Sequence, residues 1–186
     1  LNIFLNKLPN GNMKVSFLDI GQGDSILIQT PSMQNILVDG GPNNKILEHL
    51  GNLLPILNDQ IDMIILTHPH KDHIFGLIEV VKRYKVKQIL ISGINFKNSF
   101  YDEFLKEVNK KNIKLIIASS DKDYNLGNGI YFDILYPNES MLGKNIQNVN
   151  NSSVAFKLVY FNSKILFTGY NELESETKEL LSDFDF

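Results

Sequence analysis

Three of the four histidines fall in one run, Thr67-His68-Pro69-His70-Lys71-Asp72-His73, with an aspartate among them. Imidazoles and a carboxylate this close together suit a divalent metal ion. Neutral imidazole nitrogens hold the ion while leaving it Lewis acidic, and a neighbouring carboxylate orients water. His68 and His70, two residues apart on a loop leaving an apolar strand, can point to the same side and bind one ion. Asp72 and His73 continue the turn and can bind a second ion nearby. The chemistry this predicts is hydrolysis by metal-activated water, with Asp72 holding and orienting the attacking water. A lone His-x-His is more often an incidental surface pair; three histidines with an aspartate make a stronger case. Asp39, ending an apolar strand before Gly40-Gly41, has two readings: a carboxylate that hydrogen-bonds a metal-binding imidazole, or a turn-capping Asp.

A loop carrying such residues needs a rigid base. Residues 63–66 supply it as a short buried strand, and after the loop Ile74, Leu77, Ile78 and Val81 recur at helical spacing. A β-rich stretch, residues 86–92, follows. Upstream, residues 14–20, 25–30 and 34–39 read as three strands of a meander, separated by the turn formers Gly21-Gln22-Gly23-Asp24 and Pro31-Ser32-Met33. Residues 44–54 form a helix with Ile46, Leu47, Leu50, Leu53 and Leu54 on one face. Downstream, the capping pattern Ser99 with Asp102 begins a helix whose core face is Phe100, Phe104, Leu105 and Val108. Strands are predicted at residues 113–118, 130–136, 154–161 and 164–168, the last two joined at Asn162-Ser163. Residues 125–129 read as a turn, 138–151 as a polar stretch and 172–181 as a closing helix. Mixed strands and helices after a meander predict an α/β fold in layers, with helices covering sheet faces.

The chain has 186 residues, 43% of them hydrophobic, which favours a single domain with a substantial core. A net charge of −3 argues against a protein that coats nucleic acid by bulk charge, so a DNA substrate would need a local patch or a bound ion. There are no cysteines, which leaves His, carboxylate and water as ligands for a transition metal. The apolar runs are too short to span a bilayer. Leu1 stands where an initiator Met is expected, which suggests a piece of a longer polypeptide.

The run from His68 to His73 resembles the His-x-His-x-Asp-His signature of metallo-β-lactamase-fold hydrolases, and Val38-Asp39-Gly40-Gly41 resembles their preceding strand end. More narrowly, Phe17-Leu18-Asp19-Ile20-Gly21-Gln22-Gly23-Asp24-Ser25, Asn150-Asn151-Ser152-Ser153-Val154 and Leu166-Phe167-Thr168-Gly169 resemble the C-terminal hydrolase domain of the ComEC/Rec family of DNA-uptake channel proteins. The resemblance runs from about residue 13 to about residue 181. It implies an αββα four-layer sandwich, and a phosphodiesterase (nuclease) that uses zinc or manganese, one or two ions, on DNA, single-stranded above all. By position, it implies metal ligands at His68, His70, Asp72 and His73 and a supporting Asp39. It also implies Asp24, Asn150 and Ser153 along the site or substrate groove, although Asp24 also reads as part of a turn, and Asn150 and Ser153 as the end of a loop and the start of a strand. Residues 1–12 would be a connector and 13–186 the domain. This soluble domain, without lipid binding of its own, would be attached to a membrane channel in the same polypeptide at the bacterial inner membrane.

Two departures from the family pattern bear on activity. Thr168-Gly169 is followed by Tyr170 where the family carries an aspartate that bridges two ions, and an uncharged phenol bridges divalent cations poorly. Glu172 is a weaker substitute than a single-ion site is an explanation. The family pattern also continues to a His-His-Gly-Ser segment, and no histidine follows His73 here, so a ligand and the final strands are expected to be missing. The remaining histidine, His49, reads as a surface residue at the flank of its helix, and Phe75 stands where a glycine is usual. The alternatives to a hydrolase of DNA are a degenerate, non-catalytic domain that docks DNA or a partner, and a hydrolase of another ester or lactam.

Overall fold

The computed structural model describes residues 11–55 and 58–170. The meander forms as β1 (Lys14–Phe17), β2 (Ile26–Gln29) and β3 (Asn35–Val38), each antiparallel to the next. Helix α1 (Lys45–Leu53) then leads through β4 (Gln60–Ile61) to β5 (Met63–Ile65), which lies parallel to β3. Helix α2 (Lys71–Arg83), β6 (Lys85–Val86), β7 (Gln88–Ile91), α3 (Ser99–Lys110) and β8 (Lys114–Ile117) follow. The first sheet has the order β1-β2-β3-β5-β7-β8, with β5, β7 and β8 parallel. A second, antiparallel sheet has the order β12-β11-β10-β9, built from β9 (Tyr124–Gly127), β10 (Ile130–Tyr136), β11 (Ala155–Tyr160) and β12 (Ser163–Phe167).

Alternation along the strands decides the layering. Leu27, Leu37, Ile64, Ile89 and Ile91 face outward, onto Ile46, Leu50, Ile74, Leu77, Val81, Phe104 and Val108 of the three helices. Their neighbours Ile26, Ile28, Ile36, Val38, Met63, Ile65 and Leu90 face the second sheet and meet Ile130, Phe132, Ile134, Phe156, Leu158 and Phe167. The architecture is an αββα sandwich, of which the described residues carry the first helical layer and both sheets. The predicted helix over 172–181 and the connector over 1–12, apart from Gly11 and Asn12, lie outside the described residues. Among the described residues no helix is long and apolar enough to cross a membrane.

Two local expectations change, and one short strand pair was not foreseen. Helix α3 is capped by Asn98, one residue before the predicted start, because the Asn98 side-chain oxygen accepts from Phe100 N at 2.9 Å. Part of the predicted turn at 125–129 is strand β9, which pairs with β10. The short parallel pair β4 and β6 has no periodic signal in sequence, and is held where Lys85 and Lys87 meet Asp59 and Asp62.

Candidate metal centre

The site sits beyond the carboxyl ends of the parallel strands, where loops of an α/β sheet commonly carry chemistry. At the end of β3, Asp39 takes a left-handed backbone, φ 54°, fixed by its own N–H donating to Ile65 O at 2.9 Å. Its side chain is buried and accepts three hydrogen bonds: from Thr67 N at 2.9 Å on Oδ1, and from Thr67 Oγ1 at 2.6 Å and His73 Nδ1 at 2.8 Å on Oδ2. His73 reaches it because residues 73, 76, 77 and 80 form the buried stripe of α2.

Two glycines allow this approach. A Cβ on Gly76 would lie 1.9 Å from Gly40 O, so a larger residue would hold α2 away from the turn that carries Asp39. A Cβ on Gly23 would lie 2.0 Å from Asp72 O, so the turn after β1 rests directly on the first residues of α2.

These bonds set the ring tautomers. The Thr67 hydroxyl gives its proton to Asp39, so at its 3.1 Å contact with His68 Nδ1 the oxygen accepts, and Nδ1 carries the hydrogen. His73 likewise donates from Nδ1. In the neutral form of both rings Nε2 is therefore the lone-pair nitrogen, the form a metal ligand needs. Burial pushes His68 down to about 3, helped by the neighbouring His73 and His70, so its ring is neutral near pH 7. For His73 burial acts downward, but the hydrogen bond and charge of Asp39 outweigh it and raise the ring above its ordinary value. Burial also raises Asp39, against the pull of His73 and Thr67. Without an ion the pair thus favours a protonated His73 ring, and its Nε2 offers a lone pair once that proton leaves.

A pocket of about 150 Å³ is lined by Gln22, His68, His70, Asp72, His73, Asn150 and Tyr170. The His68 ring centroid lies 4.1 Å from that of His73 and 4.9 Å from that of His70. Asp72 Oδ2 is 3.9 Å from His73 Nε2. Tyr170 closes one wall, its ring 6.2 Å from His68 and 5.9 Å from His73.

The other residues singled out in sequence divide. Asn150 lines this pocket, whereas Asp24 lines an adjoining one with Asp39, Thr67 and Gly169, and reaches His73 only through its charge. Ser153 is fully buried and faces no groove; its Oγ accepts from Tyr170 N at 3.3 Å and so positions residue 170. His49 is not among the pocket-lining residues; its Nε2 lies 3.0 Å from Asp19 O. Phe75 packs edge-on against Phe100. Glu172 lies outside the described residues. Gln22 was not foreseen, although the Gly-Gln-Gly-Asp turn that brings it was. A larger cavity, of about 500 Å³, lies between α1 and the end of α2, with Leu47, Leu50 and Leu54 on one side and Asn58, Asp59, Arg83 and Tyr84 also on its walls.

Residues 18–169 match the model of the metallo-beta-lactamase superfamily. The chain belongs to that superfamily. Over 106 residues it is also 30% identical to ComE operon protein 3 of Bacillus subtilis (strain 168), a match that covers 48% of this chain and 14% of that protein. Solved structures of similar fold include the Rm3 metallo-beta-lactamase, at 13% identity and a TM-score of 0.56 over 91% of this chain and 71% of that one. A Cronobacter sakazakii metallo-beta-lactamase has 13% identity and a TM-score of 0.52 over 97% of this chain and 76% of its own. The metallo-beta-lactamase fold protein YhfI of Bacillus subtilis has 20% identity and a TM-score of 0.50, over 84% of this chain and 59% of its own. At these identities the structural likeness speaks for the fold alone.

The donor types in this superfamily member suit a divalent ion: two buried imidazoles presenting Nε2, a third imidazole and one carboxylate. Their arrangement does not make a finished centre. Among the described residues no group of three or more His, Asp or Glu is disposed to hold an ion. Asp39 is taken up in holding Thr67 and His73, Asp72 is the one carboxylate lining the pocket, and a phenol lines it beside His68 and His73.

Proposed function

We propose that this domain hydrolyses phosphodiester bonds of DNA, single-stranded above all, within a DNA-uptake system. The observation that carries the reading is the pocket itself: three imidazoles and Asp72 at the strand ends, with Asp39 and Thr67 turning two Nε2 atoms to lone-pair form. The similarity to ComE operon protein 3 supports the uptake context. His68 and His70 would hold a zinc or manganese ion, with Asp72 and His73 beside it. Such an ion supplies Lewis acidity toward phosphoryl oxygens and water. Asp72, at the open side of the pocket, would orient the attacking water and take its proton. Asp39 would keep the His73 ring from rotating, and Asn150 and Gln22 would offer amide hydrogen bonds to the phosphate.

In this reading residues 13–186 are the hydrolase domain and residues 1–12 a connector to a membrane channel in the same polypeptide, at the bacterial inner membrane. The test is cleavage of labelled single-stranded DNA with added manganese or zinc, by the wild type and by His70→Ala. Cleavage in the wild type that the variant loses supports the reading; equal activity in both, or none in either, removes it.

A second reading is favoured by Tyr170 and by the unfinished donor group. In it the domain is non-catalytic and docks DNA or a partner of the uptake machinery. DNA binding in the absence of any metal, with no cleavage when metal is added, would select it.

A further inference from the structure

Residue 170 is linked to the histidine loop through a chain of hydrogen bonds. Its N–H donates to Ser153 Oγ, Ser153 N donates to Asn150 O at 3.0 Å, and Val154 N donates to Thr67 O at 2.9 Å, one residue before His68. A side chain at 170 therefore faces the His68 and His73 rings, as the tyrosine does at 6.2 and 5.9 Å. What stands there decides how much negative charge the pocket can offer. Asp72 is its one lining carboxylate, and two divalent ions placed side by side would repel with so little anionic charge between them. A phenol adds bulk without formal charge near neutral pH.

We infer that residue 170 sets the metal capacity of this pocket: Tyr170 restricts it to at most one loosely held ion, and a carboxylate in its place completes a group that holds ions firmly. The inference rests on the reading of the pocket as a metal-binding one, but not on catalysis. More than half of Tyr170 is exposed, so substitution there leaves the core intact.

The experiment compares wild type, Tyr170→Asp and Tyr170→Phe, each equilibrated with zinc and dialysed. Zinc per chain is then measured by elemental analysis, and affinity by competition with a chromophoric chelator. Wild type and Tyr170→Phe should both retain less than one zinc per chain. Tyr170→Asp should gain at least one and bind at least about tenfold more tightly, the scale on which even supporting residues move metal affinity. Tyr170→Glu provides a second carboxylate should the aspartate variant fail to fold. Two zinc ions retained by the wild type, a loss of zinc in Tyr170→Phe, or no gain in either carboxylate variant overturns the inference. A wild type that cleaves DNA while holding two ions keeps the hydrolase reading and removes this one. Zinc gained by a carboxylate variant, with no cleavage by the wild type, does the reverse.

Discussion

Replacing Asp39 by asparagine should cost the site far more than it costs the fold. The carboxylate accepts from Thr67 N, Thr67 Oγ1 and His73 Nδ1, all buried. Alanine would strand these donors, and breaking a buried pair of this kind costs about 3–5 kcal/mol. Asparagine keeps an oxygen for Thr67 N but turns an NH2 toward the other two partners. His73 Nδ1 must then accept, so its hydrogen moves to Nε2. The Thr67 hydroxyl, now accepting from the amide, redirects its proton to His68 Nδ1, and that ring switches as well. Hydrogen bonds are exchanged rather than lost, so Asp39→Asn should lose only about 1 kcal/mol in urea denaturation. Both Nε2 lone pairs leave the pocket, and zinc affinity should fall about 10- to 100-fold. Tautomers are read from long-range proton–nitrogen correlations of the two rings, and affinity by chelator competition. An asparagine variant that keeps hydrogen on Nδ1 in both rings, or binds zinc as the wild type does, refutes the chain of donors argued here.

Other consequences follow from the same geometry. Because the folded state lowers His68 from 6.5 to about 3, it resists protonation there; this contribution to stability is complete above pH 6.5 and is lost toward pH 3, by about 1.4 kcal/mol per pH unit. His68→Gln should flatten that limb of a stability–pH profile measured by denaturant, and an unchanged slope would contradict the assignment. Gly76→Ala gains about 1 kcal/mol of helix propensity but sets a methyl carbon 1.9 Å from Gly40 O; a net loss of about 2 kcal/mol in urea unfolding is expected, and a gain would show that α2 is free to shift. Asn98→Ala removes the cap on Phe100 N and should cost about 1 kcal/mol with no change in zinc affinity, whereas Asn98→Ser should recover most of it.

Much of the site was legible because it is local in sequence. His68, His70, Asp72 and His73 fall within one loop and one helical turn, so their convergence on a single pocket follows from the strand before them and the helix after. Asp39 was legible as a carboxylate at a strand end, yet its two readings could be separated only by the parallel pairing of β3 and β5, which sets it against Thr67. Contacts that depend on long-range packing were hidden. Gln22 reaches the pocket on a turn seated on Asp72 O, and Ser153 carries the motif's look of a groove residue while its hydroxyl points at the backbone of residue 170. Periodicity placed α1 to within a residue at each end, but it could not show β9, whose Asn and Gly content reads as a turn until β10 pairs with it.

The pocket of His68, His70, Asp72 and His73 should be where this domain meets a divalent ion. Crystals soaked in millimolar zinc and measured on both sides of the zinc absorption edge test it directly. An anomalous peak should appear in the pocket, within ligand distance of at least two of these side chains, and no such peak in His68→Ala. A peak that survives in the variant, or an empty pocket with zinc bound elsewhere on the domain, would contradict it.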